Sequence, residues 1–197
     1  MPYDVWSDIL HKLKAAYLRH PKLIQFSEFP NDLEAMPVTP FQTNSSRLLQ
    51  SETGLRTSDY AALRDALIKA TPFAQWREPY KGTNIGQNFM DRFGNYNIIG
   101  EGGAFQSRQL WAWVVYMPPN LHYPWHHHPA EEIYLVLAGE AEFMKAGEPN
   151  MQLGPGDTSF HASNQPHAME TGDHPVMCLV CWRNEFDTPP VLTEAVD

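Results

Sequence analysis

What this chain has little of sets its bounds. Only two cysteines occur in 197 residues, Cys178 and Cys181, so no disulfide framework is available. They are spaced C-x-x-C within Val176-Met177-Cys178-Leu179-Val180-Cys181-Trp182, a stretch that reads as a strand. Positions three apart on a strand face opposite sides, so the two thiols neither share a metal nor bridge each other. Buried free thiols are the expectation. Positive charge is also scarce: 14 Lys and Arg against 23 Asp and Glu give a net charge of −9 with His neutral. That balance argues against nucleic acid or an anionic membrane as partner. No apolar run approaches the ~20 residues of a membrane helix. The opening Met1-Pro2-Tyr3-Asp4-Val5-Trp6 lacks a basic region followed by an apolar one, so a cytoplasmic location is expected.

What is present is an ordinary globular composition, 43% hydrophobic and 19% charged, with the length of one domain. Val5, Trp6, Ile9, Leu10, Leu13, Ala16 and Tyr17 recur at helical spacing and predict a helix over ~4–19, ended before Pro21. A Pro-rich irregular stretch follows. Ser58 then caps a second predicted helix carrying Leu63, Ala66, Leu67 and Ala70 and stopping before Pro72. From about Tyr96 the pattern turns to short runs rich in Val, Ile, Tyr, Phe and Trp between turn clusters. Strands are expected near 109–117, 121–128, 131–138, 140–145, 157–161, 166–171 and 175–183. The expected class is mainly β, a small double-sheet jelly-roll barrel, with the helical part packed over one face or its mouth. The division expected is a helical and irregular extension over 1–95, a barrel over 96–188 and a tail over 189–197.

The run His126-His127-His128-Pro129-Ala130-Glu131-Glu132-Ile133-Tyr134 carries the chemistry. On a strand His126 and His128 share a face, and on the next, after a turn at Pro129-Ala130, Glu132 and Tyr134 do the same. Two imidazoles and a carboxylate converging from adjoining strands suit a borderline divalent metal, and His167 is the candidate fourth ligand. Parity turns His127 and Glu131 to the opposite face. His122, His161 and His174 lie in or beside turns and strands and are expected to be surface or hydrogen-bonded residues.

These residues resemble the cupin family. Its first motif, H-x-H-x3-E-x6-G, stands as His126, His128, Glu132 and Gly139; its second stands as Pro155-Gly156-Asp157 with His167 ten residues after the aspartate. Asn120 and Asn164 replace customary glycines, which asparagine tolerates because it also visits left-handed geometry. The longer run from Tyr123 to Tyr134, with the helical front half and the length, is similar to the cupin-type dimethylsulfoniopropionate lyases, the Q-type of marine bacteria. That resemblance implies a cupin double-stranded jelly roll and cleavage of dimethylsulfoniopropionate to acrylate and dimethyl sulfide. It also implies His126, His128, Glu132 and His167 as metal ligands and Tyr134 as catalytic base.

Elimination beside a carboxylate removes a poorly acidic proton, and a bound cation would stabilise the charge that develops. A free phenol has a pKa of ~10, and a nearby cation favours its phenolate. Tyr123 is a second candidate for proton transfer and carboxylate contact. The sulfonium end calls for aromatic faces, worth ~0.5–2 kcal/mol each. Tyr123 and Trp182 are the first choices for substrate contact, followed by Trp113 and Phe160. The cofactor expected is one divalent ion, Zn²⁺ or Fe²⁺ first, then Mn²⁺, Co²⁺ or Ni²⁺. The partner expected is a small zwitterionic substrate, and the assembly a monomer or homodimer. Motif spacing alone leaves open a cupin dioxygenase acting on a small organic acid or thiol, or a non-enzymatic ligand-binding cupin.

Overall fold

The computed structural model describes residues 2–193; the end of the expected tail, 194–197, lies outside them. The first helix, α1 (Pro2–Arg19), turns its stripe of Trp6, Ile9, Leu13, Ala16 and Tyr17 into the core. Pro21 stops it and opens α2 (Pro21–Phe26) at the first turn, where a missing N–H costs nothing. A two-residue strand, β1 (Glu34–Ala35), precedes α3 (Asn44–Ser51), which falls where an irregular stretch was expected. Its signal is a capping box: the Thr43 side chain accepts from the Ser46 N–H, and Ser46 Oγ accepts from the Thr43 N–H. In α4 (Ala61–Ala70) Leu63, Ala66, Leu67 and Ala70 are buried as predicted, but Tyr60 is the N-cap. Ser58 lies outside that cap and donates to Asp59 instead. A short α5 (Gln87–Arg92) leads into the sheets.

The strands are β2 (Gly94–Ile99), β3 (Phe105–Gln106), β4 (Trp111–Met117), β5 (Leu121–His127), β6 (Glu131–Gly139), β7 (Ala141–Lys145), β8 (Met151–Leu153), β9 (Thr158–His161), β10 (His167–Thr171), β11 (Val176–Arg183) and β12 (Val191–Leu192). They form a seven-stranded sheet, β1-β3-β2-β4-β11-β6-β9, facing a five-stranded one, β12-β5-β10-β7-β8. All neighbours pair antiparallel except β2 with β3. This is the double-stranded jelly roll of the cupin class, mainly β with helices at its front.

Two cores follow from strand parity. In β11, Met177, Leu179 and Cys181 face outward beneath α1 and α4, while Cys178, Val180 and Trp182 face the other sheet. The thiols are thus buried, free and on opposite faces, as their spacing implied. β4 divides likewise, with Ala112, Val114 and Tyr116 under the helices and Trp113, Val115 and Met117 inside the barrel. The helices therefore cover the outer face of the larger sheet. The segment after them returns to the interior, where Tyr80, Phe89 and Phe93 pack on Tyr123.

β5 and β6 are consecutive in the chain but lie in opposite sheets. The expected ligands are accordingly not neighbours on one surface; they meet across the space between the sheets. Asn120 and Asn164, with φ of 56° and 58°, take up the left-handed turns where the motifs usually carry glycine. Gly139 has no such substitute. Its φ is 72°, and a Cβ there would stand 1.8 Å from the Pro175 carbonyl oxygen, which accepts from the Glu140 N–H. Gly139→Ala is expected to cost at least ~2 kcal/mol, from left-handed strain plus a backbone clash, read as a lower urea midpoint.

Candidate metal centre and active site

The centre is assembled by register. His126 in β5 lies directly opposite His167 in β10. Glu132 in β6 is flanked by Trp182 of β11 on one side and His161 of β9 on the other. His128, just past the end of β5, completes the group. His126, His128, Glu132, His161 and His167 are all 2% exposed, so the cluster is a buried polar site.

Hydrogen bonds settle which nitrogen each imidazole offers. Nδ1 of His126, His128 and His167 lies 2.8, 2.9 and 2.8 Å from the backbone oxygens of Pro124, Ala130 and Gln165. A carbonyl oxygen only accepts, so each Nδ1 carries a proton and, in the neutral ring, each Nε2 presents a bare lone pair. His128 Nε2 and His167 Nε2 are buried with no hydrogen-bond partner. They stand 3.5 and 3.1 Å from Glu132 Oε2, so in the neutral rings lone pair faces lone pair. That contact is repulsive unless a positive centre lies between the atoms. Three imidazole nitrogens and a carboxylate of this kind, each imidazole held by a backbone carbonyl, fit a divalent metal ion. Two overlapping triads have donor atoms within 4.8 Å of one another: His126, His128 and His167, and Glu132, His161 and His167.

Glu132 is fixed from both sides. Its Oε1 accepts from Trp182 Nε1 at 2.7 Å and its Oε2 from His161 Nδ1 at 2.8 Å, while Ser159 Oγ lies 2.9 Å from His161 Nε2. Burial alone would raise the Glu132 carboxyl; positive charge facing it at His128, with hydrogen bonds from protonated nitrogens of His128, His161 and His167, outweighs burial and holds the group well below the usual range. Burial, then the neighbouring His167, pushes His126 well below its ordinary value and His161 down to about 3. His161 was expected at the surface or hydrogen-bonded, and it is buried and hydrogen-bonded. Its place beside Glu132 was legible only through the β6–β9 register, which spacing within one strand does not give.

A cavity of about 1010 Å³ opens from this cluster, lined among others by Tyr123, His126, His128, Glu132, Tyr134 and Trp182. Tyr134 is 4% exposed, on the same face of β6 as Glu132. Burial first, then the Glu132 charge, holds its phenol well above the ordinary value, so the chain's own groups keep it protonated. The Tyr123 ring stacks on His126 with centroids 4.1 Å apart, and its hydroxyl lies 2.8 Å from that of Tyr80. Tyr80 was missed, because it falls in a loop without periodicity. Trp113 and Trp182 meet edge to face at 4.9 Å on the cavity wall. Phe160 does not join them. Since His161 points inward, the preceding residue points out; Phe160 is 40% exposed and packs edge-on against Phe26, centroids 6.1 Å apart. It does not line the cavity, contrary to its expected place near substrate. His127 and Glu131 fall away from the cluster, Glu131 pairing with Arg183 at 2.9 Å.

Fold and site together define a cupin-type barrel with a buried histidine and glutamate centre. The family model of the dimethylsulfoniopropionate lyases matches residues 24–178. The chain belongs to that family. It is 50% identical over 188 residues to the dimethylsulfoniopropionate lyase DddQ of Ruegeria pomeroyi DSS-3, covering 95% of this chain and 94% of that one. The crystal structure of that lyase superposes with a TM-score of 0.94 over 96% of both chains. A crystal structure from the DMSP lyases RdDddP and RnDddQII also gives 0.94, at 31% identity, over 98% of this chain and 100% of that one.

In metal-stripped protein, His126 and His161 bind their protons less readily when folded than when unfolded. The unfolded chain then holds more protons below its imidazole pKa of ~6.5, so stability falls as pH drops through that value toward 3. Thermal melts of stripped protein between pH 7.5 and 4.5 are expected to show a Tm that declines below about pH 6.5.

Proposed function

We propose that this chain is a metal-dependent carbon–sulfur lyase that cleaves dimethylsulfoniopropionate to acrylate and dimethyl sulfide. The observation that carries the reading is Tyr134 sharing a strand face and a cavity with a buried set of bare imidazole nitrogens and one fixed carboxylate. The identity to a curated lyase over nearly the whole chain supports the substrate.

His126, His128, Glu132 and His167 are the ligands we assign, with His161 and Trp182 orienting Glu132 through the hydrogen bonds described. A divalent ion held there supplies Lewis acidity toward the substrate carboxylate. Tyr134 is the base: its phenol would lose its proton to solvent when a cation is held beside it, and the phenolate oxygen takes the proton from the carbon beside the carboxylate. The electrons of that C–H bond form the C=C bond of acrylate, and the C–S bond breaks with its pair leaving on dimethyl sulfide. Tyr123 hydrogen-bonds to Tyr80 and is placed to contact the carboxylate or relay a proton. Trp113 and Trp182 offer crossed aromatic faces to the sulfonium, and the indole N–H of Trp182 is already committed to Glu132. Phe89, Phe93 and Tyr80 close the wall behind Tyr123 and exclude water. Residues 96–188 are the catalytic barrel in this reading. The ligand set suits Zn²⁺ or Fe²⁺ first, a monomer or homodimer suffices, and two free buried thiols accord with the cytoplasm.

The test is headspace detection of dimethyl sulfide from anaerobic protein loaded in turn with Zn²⁺, Fe²⁺, Mn²⁺, Co²⁺ and Ni²⁺. Turnover without oxygen excludes a dioxygenase, and silence with every ion sinks the assignment. Tyr134→Phe is expected to lower the rate by ~10²–10⁴-fold while metal content and Tm hold, because a positioned base is worth that much. Trp182→Phe, which deletes the N–H on Glu132, is expected to weaken metal affinity by ~10–100-fold in a competition assay.

A further inference from the structure

Besides the cluster, the cavity contains one half-buried guanidinium. Trp76 is anchored in the outer core and bridges to Tyr96 beside β2. The next residue, Arg77, turns the other way, its N–H on the Asn95 carbonyl at 3.0 Å and its side chain on the cavity wall. Five N–H donors are available there, and the one side-chain hydrogen bond they make is long, Nη1 to Asn97 Oδ1 at 3.3 Å. Asn97 is held in that orientation by donating to the Glu101 carbonyl at 2.7 Å. Among the described residues Arg77 forms no ion pair. Burial, the largest influence, lowers its pKa, with Glu101 and Tyr123 acting the other way, which marks a cation short of water. Arg108 also borders the cavity, but its side chain is 96% exposed and cannot act inside it.

Asn95, 5% exposed, also borders the cavity; its unpartnered Oδ1 is an acceptor and offers an anion nothing, so the forked donors of Arg77 must hold one alone. Asn95 and Asn97 pair with Val115 and Trp113 in β4, so this polar strip runs along an apolar wall completed by Phe93. A planar guanidinium with free donors matches a carboxylate in a forked geometry, and the wall beside it suits a short hydrocarbon.

We infer that Arg77, oriented by Asn97, is a carboxylate-binding subsite separate from the imidazole cluster, taking short-chain monocarboxylates. It stands whether or not the chain is a lyase. If the lyase reading holds, the same subsite gives the acrylate product a second docking point within the cavity.

The test is titration of full-length protein with propanoate, zinc-loaded and chelator-stripped in parallel, followed by saturation-transfer NMR. In both forms Arg77→Gln is expected to remove one saturable propanoate site, weakening it at least ~10-fold, the scale of a lost charge-assisted pair. Asn97→Asp, which sets a fixed carboxylate against the guanidinium, is expected to do the same, and Arg77→Lys to retain part of the affinity. If Arg77→Gln fails to fold by near-UV circular dichroism, Asn97→Asp decides. Propanoate that never saturates the wild type, or binds both variants as tightly, overturns the subsite. Because no turnover is read, its failure is distinct from failure of the lyase assignment.

Discussion

The buried carboxylate of Glu132 is the constraint on which the site depends. A lone ionised group taken out of water costs several kcal/mol, so it persists only among donors and cations. Here the donors come from both neighbouring strands, the Trp182 indole and the His161 imidazole, placed by cross-strand register. With both oxygens engaged, the carboxylate cannot rotate, and the bare nitrogens of His128 and His167 close on it from outside its own sheet. An acid–base pattern follows: Glu132 charged, His126 and His161 neutral, the Tyr134 phenol protonated until a cation offsets its surroundings.

The larger sheet carries two kinds of chemistry on its two faces. Outward, β4, β6 and β11 present aliphatic side chains to α1 and α4. Inward, alternate residues of the same strands present Trp113, Glu132, Tyr134 and Trp182. The helical layer therefore stiffens the platform from behind, while the loop and helix over 77–93 close the cavity from its side.

Local pattern explains most of what was legible in the sequence. Hydrophobic periodicity located α1, the apolar face of α4 and the principal strands, and strand parity separated Cys178 from Cys181. Motif spacing picked out His126, His128, Glu132 and His167, which the structure gathers into one cluster. What escaped were facts of pairing. That β5 and β6 enter different sheets depends on long-range partners. His161 acquires its place from a strand pairing, and Tyr80 from a loop contact with Tyr123. Phe160 was misread because aromatic character was weighed without the parity that His161 imposes on it. The strands β8 and β12 have three and two residues, too short for any period to register.

Drawing the cluster from both sheets has a mechanical consequence. Facing sheets keep a separation near ~10 Å set by the side chains between them. Here that filling includes Val115, Val180, Phe143 and Met169, none of them in the imidazole group. Changing their bulk would pry the halves of the barrel apart or draw them together, moving His126 and His167 relative to Glu132. Packing residues away from the cluster thereby govern its bite.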